Sequence, residues 1–138
     1  MLRPFTPEWA AAFRDAINAD AEYRTAGAGW TWPLALSLSA DPARGFPHDV
    51  AIELDLAHGT CGEVRVKVGE RATTDYVLRG DYDAWRAVVG GQLDPVVAVT
   101  MGKLKLVQGS LTTLMLQTKA AKALVACAQK VPTDFGAS

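Results

Sequence analysis

The sequence predicts one α+β domain over residues 1–138, with a mostly antiparallel sheet of five strands that is covered on one face by helices. Four successive segments alternate apolar and polar residues with a period of two, which is typical of half-buried strands. The connections between these segments are shorter than the dozen or more residues that a parallel crossover usually requires. Helical apolar patterns lie on both sides of this block, and no repeat or linker divides the chain.

The first predicted element is a helix that begins at Thr6 and Pro7 and fades near residues 27–29. Thr6 is a suitable N-cap, and Pro7 fits the first turn because an N–H group at that position would have no helical partner. Trp9 and Phe13 lie on one side of this helix, since they are four residues apart. We therefore expect this aromatic side to pack on the sheet.

Four strands follow, at residues 34–38, 50–56, 64–68 and 73–78, and turn-forming residues separate each from the next. Because the connections are short, we expect successive strands to pair as an antiparallel meander. Such a sheet commonly buries one face and exposes the other to water, as the alternating patterns indicate.

Helical patterns and one further strand make up the rest of the chain. Asp81 is positioned to cap a helix that buries Trp85 and ends at residues 90–91. The fifth strand, Gly-Lys-Leu-Lys-Leu at 102–106, places two leucines on one face and two lysines on the other. After Gly109, about twenty residues form one amphipathic helix. The fifth strand follows helical segments, so it is free to join the sheet outside the meander.

Composition and charge exclude several classes of protein. The net charge of −1 comes from 14 basic and 15 acidic residues mixed along the chain, which leaves no basic stripe for a nucleic acid. No apolar run approaches the roughly eighteen residues needed to cross a bilayer, and no signal-peptide pattern is present. Cys61 and Cys127 lack metal-ligand spacing and are expected to be independent reduced thiols. These features indicate a cytoplasmic protein.

The candidate catalytic residues do not form a recognisable set. Imidazole suits proton transfer near neutral pH, but His48 and His58 lie in turns without an accompanying nucleophile and carboxylate in a known order. We expect both to be solvent-exposed loop residues. The serines lack a nucleophile-elbow pattern, and the glycines form no dinucleotide or phosphate-binding fingerprint.

Two carboxylates stand two residues apart on one strand. Glu53 and Asp55 share a face, which suits paired-carboxylate chemistry or a divalent cation. Arg65 and Lys67 occupy the polar face of the next strand, and ion pairs across the two strands explain all four residues without a site. We favour the ion pairs.

An ordered set of motifs in the second half of the chain resembles the sterol carrier protein type 2 family of lipid-binding domains. The set consists of Gly91 at a helix end, Asp94-Pro95, the strand at 102–106 and the closing helix, and the resemblance covers residues 72–131. The family's strand usually reads Gly-Lys-Leu-Lys-Ile and precedes a Gly-Asp/Asn-Met-Gly-Leu turn. Here the turn has its glycine one place later and contains no Met-Gly pair.

The resemblance implies an apolar tunnel between the sheet and the helices, because members of that family enclose lipids there. From the residues alone, the tryptophans and methionines fit a packed core as well as a pocket wall. Helix and strand faces, together with the family placement, give the following candidate lipid-binding residues: Phe13, Ile17, Trp30, Trp32, Trp85, Val88, Val89, Val97, Met101, Leu104, Leu106, Leu111, Leu114, Met115, Leu124 and Val125.

The function implied by the resemblance is non-catalytic binding, and transfer, of a long apolar lipid such as a fatty acid, an acyl chain or a sterol-like molecule. We expect no cofactor, no metal and no nucleic acid, a monomer or homodimer, and at most transient contact with a membrane. The alternative is a structural, dimerisation or protein-interaction module that uses the same groove. A small isomerase or hydrolase ranks third because the residues of a catalytic set are missing.

Overall fold

A five-stranded sheet forms the centre of the protein, whose computed structural model describes residues 1–136. The strands are β1 (Leu34–Leu38), β2 (Val50–Ala57), β3 (Thr60–Val68), β4 (Tyr76–Gly80) and β5 (Leu104–Gln108). The helices are α1 (Pro7–Ala19), α2 (Ala21–Ala26), α3 (Tyr82–Val89), α4 (Pro95–Thr100), α5 (Leu111–Leu116) and α6 (Thr118–Gln129), with a short 3-10 turn at Pro42–Arg44.

The strands lie in the order β3-β2-β1-β4-β5. Three neighbouring pairs are antiparallel, and β1 and β4 are parallel, with Leu34 opposite Tyr76. The predicted α+β class with a mostly antiparallel five-stranded sheet is therefore confirmed. The predicted meander of the first four strands is wrong, because β4 pairs with β1 and not with β3. The fifth strand lies at an edge of the sheet and pairs antiparallel with β4, the strand before it in the chain, so it does not take the position outside a meander that the sequence left open.

Residues 69–75 account for the unexpected strand order. β3 and β4 run in the same direction with two strands between them, and the register sets Val68 level with Leu38 and Tyr76 level with Leu34. This connection must cover about 14 Å across the sheet and about 13 Å along it, or roughly 20 Å diagonally. Eight residue steps span up to about 26 Å, so a nearly extended chain is long enough without a helix.

This connection, which we call the crossover, lies over the face of the sheet opposite the helices. The side chains at the centre of that face are small: Ala35, Ser37 and Ala51, all buried. Their size leaves room for the backbone of the crossover. The sheet is thus covered on both faces, by helices on one and by a single strand-like segment on the other.

Glu53 fastens the crossover to the sheet. Only 1% of its surface is exposed, and its carboxylate accepts a hydrogen bond from the Thr73 N–H at 2.8 Å. The same carboxylate lies 3.2 Å from the Lys67 ammonium and 3.3 Å from the Arg65 guanidinium. The predicted cross-strand ion pairs are confirmed for Glu53, while Asp55 is exposed. Among residues 1–136, no group of three or more His, Cys, Asp or Glu side chains could hold a metal.

Alternate residues of the strands face the helices and build the core. The cross-strand partners on this face include Leu34 with Leu54, Leu36 with Ile52, and Leu78 with Leu106. On the helical side, Trp9 and Phe13, on the predicted aromatic side of α1, are buried, together with Ala10 and Ile17.

Each of the two long helices expected from the sequence is in fact a pair of helices. Asp20 adopts an extended backbone conformation after α1, and its carboxylate accepts a hydrogen bond from the Glu22 N–H, which caps α2. A short acidic side chain competes in this way for backbone donors and favours helix ends. Gln117, with φ −111° and ψ 35°, separates α5 from α6. In addition, Asp94 caps the short helix α4.

The two thiols lie under the helices and are free, as predicted. Burial raises the pKa of Cys61 to about 11 and that of Cys127 to about 12. The Cys127 thiol also donates a 3.0 Å hydrogen bond to the carboxylate of Asp20, which links α6 to the cap of α2. No helix in residues 1–136 is both long enough and apolar enough to cross a membrane.

Candidate functional site

A cavity lined by apolar side chains lies between the helix-covered face of the sheet and the helices. The sheet contributes Leu34, Leu36, Leu56, Leu78 and Leu104. The helices and the segment before β1 contribute Tyr23, Trp30, Trp85, Pro95, Leu114, Ala120, Ala121, Leu124 and Val125. The few polar atoms of this lining belong to aromatic side chains, so the cavity offers an environment for hydrocarbon.

The side-chain polar atoms of the two tryptophans are directed into hydrogen bonds with the backbone. The Trp30 indole N–H donates to the Trp32 carbonyl at 2.7 Å, and the Trp85 indole N–H donates to the Ser37 carbonyl at 2.9 Å. Burial raises the pKa of the Tyr23 phenol above its ordinary value, which keeps this group uncharged. The cavity therefore presents neither a charge nor a free indole donor to a ligand.

An aromatic cluster lies beside the cavity near β4, and its member Trp30 lines the cavity. The rings of Trp30 and Tyr76 lie 4.8 Å apart, and Trp32 packs edge-on against Trp30 at 5.0 Å. Gly109 passes close to this cluster with φ 108°, and a Cβ atom there would come within 2.5 Å of the Tyr76 ring. The glycine in the turn after β5 thus allows the chain to reach α5 past the cluster.

Small residues on α6 leave the space that forms the cavity. Ala120 and Ala121 occupy the first turns of the helix, where larger apolar side chains would fill the gap above the sheet. Leu124 and Val125 close the space one turn later. At the other end, Leu114 points inward and is the buried residue among the six of α5.

The cavity as it stands is small. Its volume is about 40 Å³, whereas pockets that hold small-molecule ligands usually measure about 300 to 1,000 Å³. A void of this size with an apolar lining stays dry. A long ligand does not fit a cavity of this size, and we call the arrangement seen here the closed form.

The sixteen candidate lipid-binding residues are distributed over three environments. Six line the cavity: Trp30, Trp85, Leu104, Leu114, Leu124 and Val125. Four are buried in the core without reaching the cavity: Phe13, Ile17, Val88 and Val89. The other six do not line it either: Trp32, Leu106 and Met115 are half-buried, and Val97, Met101 and Leu111 are exposed.

Eight lining residues were not among those candidates: Tyr23, Leu34, Leu36, Leu56, Leu78, Pro95, Ala120 and Ala121. The period-two pattern of the strands contained a signal for the leucines, since it places them on the same face as Leu104. The alanines gave no such signal, because they contribute by leaving space.

A second, larger depression lies on the opposite face of the sheet, beside the crossover. It measures about 880 Å³, and charged or polar groups such as His48, Asp49, Arg71 and Arg79 line it. Arg79 and Asp49 pair there at 3.0 Å. An apolar ligand would have to remove water from these groups, which is unfavourable, so this depression does not suit a lipid chain.

Both histidines are exposed, as predicted. His48 borders the polar depression, and His58 lies in the turn between β2 and β3 with φ 52°. In residues 1–136, neither imidazole takes part in an ion pair. Neither imidazole lines the apolar cavity.

The chain is similar in sequence and fold to sterol carrier proteins. The family model described as the SCP-2 sterol transfer family matches residues 13–122. A crystal structure of a sterol carrier protein 2 shares 37% identity over 94% of this chain and 99% of that chain, with a TM-score of 0.89. No curated protein matches.

Two further solved structures are similar. A conserved hypothetical protein from Thermus thermophilus, described as possibly a sterol carrier protein, shares 36% identity over all of this chain and 96% of that chain, with a TM-score of 0.89. Sterol carrier protein 2 from Yarrowia lipolytica, in its apo form, shares 18% identity over 88% of this chain and 89% of that one, with a TM-score of 0.57. The latter similarity shows the fold alone.

The family match spans most of the chain, including the cavity-lining residues from Tyr23 to Ala121. It also contains the motifs at Gly91, Asp94-Pro95 and 102–106 on which the resemblance was based. This resemblance is confirmed, and the chain belongs to the SCP-2 sterol transfer family.

Proposed function

We propose that the protein binds one long apolar lipid in the cavity between sheet and helices and carries it through water without catalysing a reaction. The observation that supports this most is the chemistry of the lining, in which leucine, tryptophan, alanine and valine predominate and no charged residue occurs. Binding sites that are mostly apolar and have few polar anchors select ligands by shape and hydrophobicity. Family membership supports the same function.

Hydrophobic burial supplies enough free energy for such binding. Each methylene removed from water contributes about 0.8 kcal/mol, so a chain of about sixteen carbons gains about 13 kcal/mol. Association costs at least about 4 kcal/mol in lost translational and rotational freedom. A net binding free energy of at most about 9 kcal/mol remains, which corresponds to dissociation constants around micromolar.

Helix α5 is the element that we propose to move when the cavity opens. It is short, it is joined to β5 through Gly109 and to α6 through the break at Gln117, and of its side chains Leu114 is the buried one. Lifting α5 therefore exposes little apolar surface before a ligand replaces Leu114. The lipid then occupies the space above Leu104 and beneath α6.

Little selection among head groups follows from the same lining. The walls contain no charged side chain, and the tryptophan donors are already engaged with the backbone. Fatty acids, alcohols and esters of similar chain length should therefore bind with similar affinity. Two free, buried thiols fit a reducing compartment, which supports a cytoplasmic location.

The proposal is tested by displacement of a fluorescent fatty acid from the purified protein. The competitors are fatty acids, fatty alcohols and a sterol, each titrated separately. We expect saturable displacement by the long-chain compounds, with small differences between head groups. If no competitor binds more tightly than about 100 μM, or about −5.5 kcal/mol, the carrier function is refuted.

Native mass spectrometry of the freshly purified protein complements this titration. Solvent extraction then identifies any lipid that was retained. A one-to-one complex with an apolar lipid supports the carrier, whereas an empty dimer supports the interaction module instead.

A further inference from the structure

Charge is segregated along the chain, contrary to the even mixing expected from the totals. Residues 95–133 contain five lysines and no acidic residue, which gives this segment a charge of +5. The other residues contain nine basic and fifteen acidic side chains, or −6. The overall charge of −1 thus conceals a strongly basic segment that includes α4, β5, α5 and α6.

The same segment carries most of the large apolar side chains that are exposed to solvent. Val97 is 45% exposed and Met101 is 58% exposed, and because they are four residues apart they lie side by side on the outside of α4. On α5, Leu111 is 52% exposed and Leu116 is 79% exposed. At 3.6 residues per turn, Leu116 is rotated about 160° from the buried Leu114, so it points away from the cavity.

Three of the lysines in this segment are free. Lys103, Lys105 and Lys119 are exposed, and their side chains form no ion pair or hydrogen bond with any residue in 1–136. Lys122 and Lys130 lie 3.6 Å from the carboxylates of Asp94 and Asp20, respectively. The exposed apolar side chains therefore lie in a segment that also carries three lysines without an ion-pair partner.

Two carboxylates share a surface depression with Lys103 and Lys105, but both have other partners. Asp81 accepts a hydrogen bond from the Ala84 N–H at 2.8 Å, which caps α3. Asp83 pairs with Arg44 at 3.2 Å. Both carboxylates keep their negative charge and offset part of the positive charge here, so the depression, which Arg79 also lines, carries a net charge of +1.

These exposed side chains also lie on the elements that enclose the cavity. Pro95 of α4, Leu104 of β5 and Leu114 of α5 line it from inside, while Val97, Met101, Leu111 and Leu116 lie on the outside of the same segment. A surface that combines exposed apolar side chains with lysines matches the interface of an anionic bilayer, where acyl chains lie beneath negative head groups. We propose that residues 95–119, which we call the docking segment, attach the protein to anionic membranes and direct the cavity opening toward the lipid.

A second copy of the chain fits this surface poorly. In a two-fold dimer the same patch meets itself, so the unpaired lysines of one copy would oppose those of the other. Like charges in contact across an interface are unfavourable. An anionic bilayer offers negative head groups to the lysines and acyl chains to the apolar side chains. It also contains the lipid that the protein is proposed to bind, and for this argument the inference rests on the proposed function.

The test is co-sedimentation with vesicles of phosphatidylcholine alone and of phosphatidylcholine with about one-third phosphatidylserine. We expect binding to the anionic vesicles that weakens at high salt, and little binding to the neutral ones. Replacing both Lys103→Ser and Lys119→Ser should weaken binding roughly 25-fold, at about fivefold per lysine. Leu116→Ser should weaken it about tenfold, because a leucine no longer enters the bilayer.

Matched controls come from the opposite edge of the sheet. Val68 on β3 is 56% exposed, comparable to the apolar side chains of the docking segment, and Arg71 in the crossover is an exposed cation. Val68→Ser and Arg71→Ser should leave vesicle binding within about twofold of the wild type. Equal losses in the controls and in the docking-segment variants would overturn the proposal.

Displacement of the fluorescent fatty acid, measured in solution on the same variants, separates this inference from the proposed function. The docking-segment variants should keep the wild-type affinity, because none of the changed side chains lines the cavity. If the wild type binds fatty acid but does not prefer anionic vesicles, the docking segment is refuted and the carrier stands. If it binds anionic vesicles but no fatty acid, the carrier function is refuted and the docking segment stands. If Leu116→Ser dissociates a wild-type dimer, the surface is a self-association interface and the proposal fails.

Discussion

The main-chain N–H of Thr73 donates a 2.8 Å hydrogen bond to the buried carboxylate of Glu53, and this contact holds the crossover against the sheet. Replacing Glu53→Gln keeps an acceptor for Thr73 but removes the charge that pairs with Lys67 and Arg65. We expect the free energy of unfolding at pH 7 to fall by about 1 to 3 kcal/mol. Urea denaturation measures this change, and Asp55→Asn, on an exposed residue of the same strand, should change stability by less than about 0.5 kcal/mol.

The contribution of Glu53 should also depend on pH. Burial raises the pKa of this carboxyl group, but the hydrogen bond from Thr73 and the contacts with Lys67 and Arg65 outweigh burial, so its pKa lies below the ordinary value of 4.5. The unfolded chain then binds the proton more readily, and stabilisation by Glu53 is complete above about pH 5 and lost as pH falls below 4.5. The stability difference between wild type and Glu53→Gln should therefore shrink in acid. A difference that grows as pH falls from 6 to 3.5 would contradict the assigned direction of the pKa shift.

Leu114→Asp should abolish binding of the fluorescent fatty acid. The new carboxylate would project into an apolar cavity without a partner, which is costly for the closed form and for the lipid complex alike. Leu116→Asp is the matched control on the same helix, since Leu116 is exposed and faces away. It should leave the affinity in solution within about twofold. Circular dichroism and thermal unfolding of both variants check that any loss of binding occurs in a folded protein.

Metals, chelators and nucleotide or nicotinamide cofactors should not change the melting temperature. Among the described residues, no cluster of three or more His, Cys, Asp or Glu side chains could hold a metal ion. The glycines form no phosphate-binding fingerprint. His48→Ala and His58→Asn should keep lipid affinity within about twofold; asparagine replaces His58 because it tolerates a positive φ. A thermal-shift screen provides the measurement. A stabilisation of several degrees by a metal or nucleotide, lost in either histidine variant, would indicate a catalytic site in these turns.

The two cysteines should react slowly with thiol reagents while the protein is folded. Burial is the main cause of the raised pKa values, about 11 for Cys61 and about 12 for Cys127, so little thiolate is present at pH 8. We expect slow labelling by a disulfide reagent in buffer and rapid labelling of both thiols in denaturant. Single Cys61→Ser and Cys127→Ser variants assign each rate. Rapid modification of either thiol in the folded protein would show that the helices open far more often than the structure indicates.

Local chemistry made a large part of the fold predictable from the sequence. Thr6 and Asp81 cap α1 and α3 as expected, since a short side chain that accepts backbone hydrogen bonds is a local feature. The alternation in the strands gave the correct helix-facing side for the same reason, with Leu104 buried and Lys103 and Lys105 exposed. The opposite face was expected to meet water, but at its centre Ala35, Ser37 and Ala51 are buried beneath the crossover.

The features that sequence analysis missed depend on distant contacts or on empty space. Nothing near Tyr76 indicates that β4 will pair with Leu34 rather than with the strand before it. No proline or glycine marks the break at Gln117, so the pattern continues through it. The strand pattern contained the signal for the leucines that line the sheet side of the cavity. It contained none for the space beneath Ala120 and Ala121, which exists because these side chains are short.

The parallel pairing of β1 with β4 has a consequence for the order in which the protein folds. β2 and β3 meet through a turn in which Ala57 lies opposite Thr60, so this hairpin closes a very short loop. The β1–β4 pair joins Leu34 to Tyr76, about forty residues later, and must first overcome a larger loop-closure entropy. We therefore expect pulse-labelled hydrogen exchange to show protection of the hairpin before protection of β4. Until β4 has docked, β5 has no partner and α5 has no sheet to cover, so the apolar cavity is assembled last.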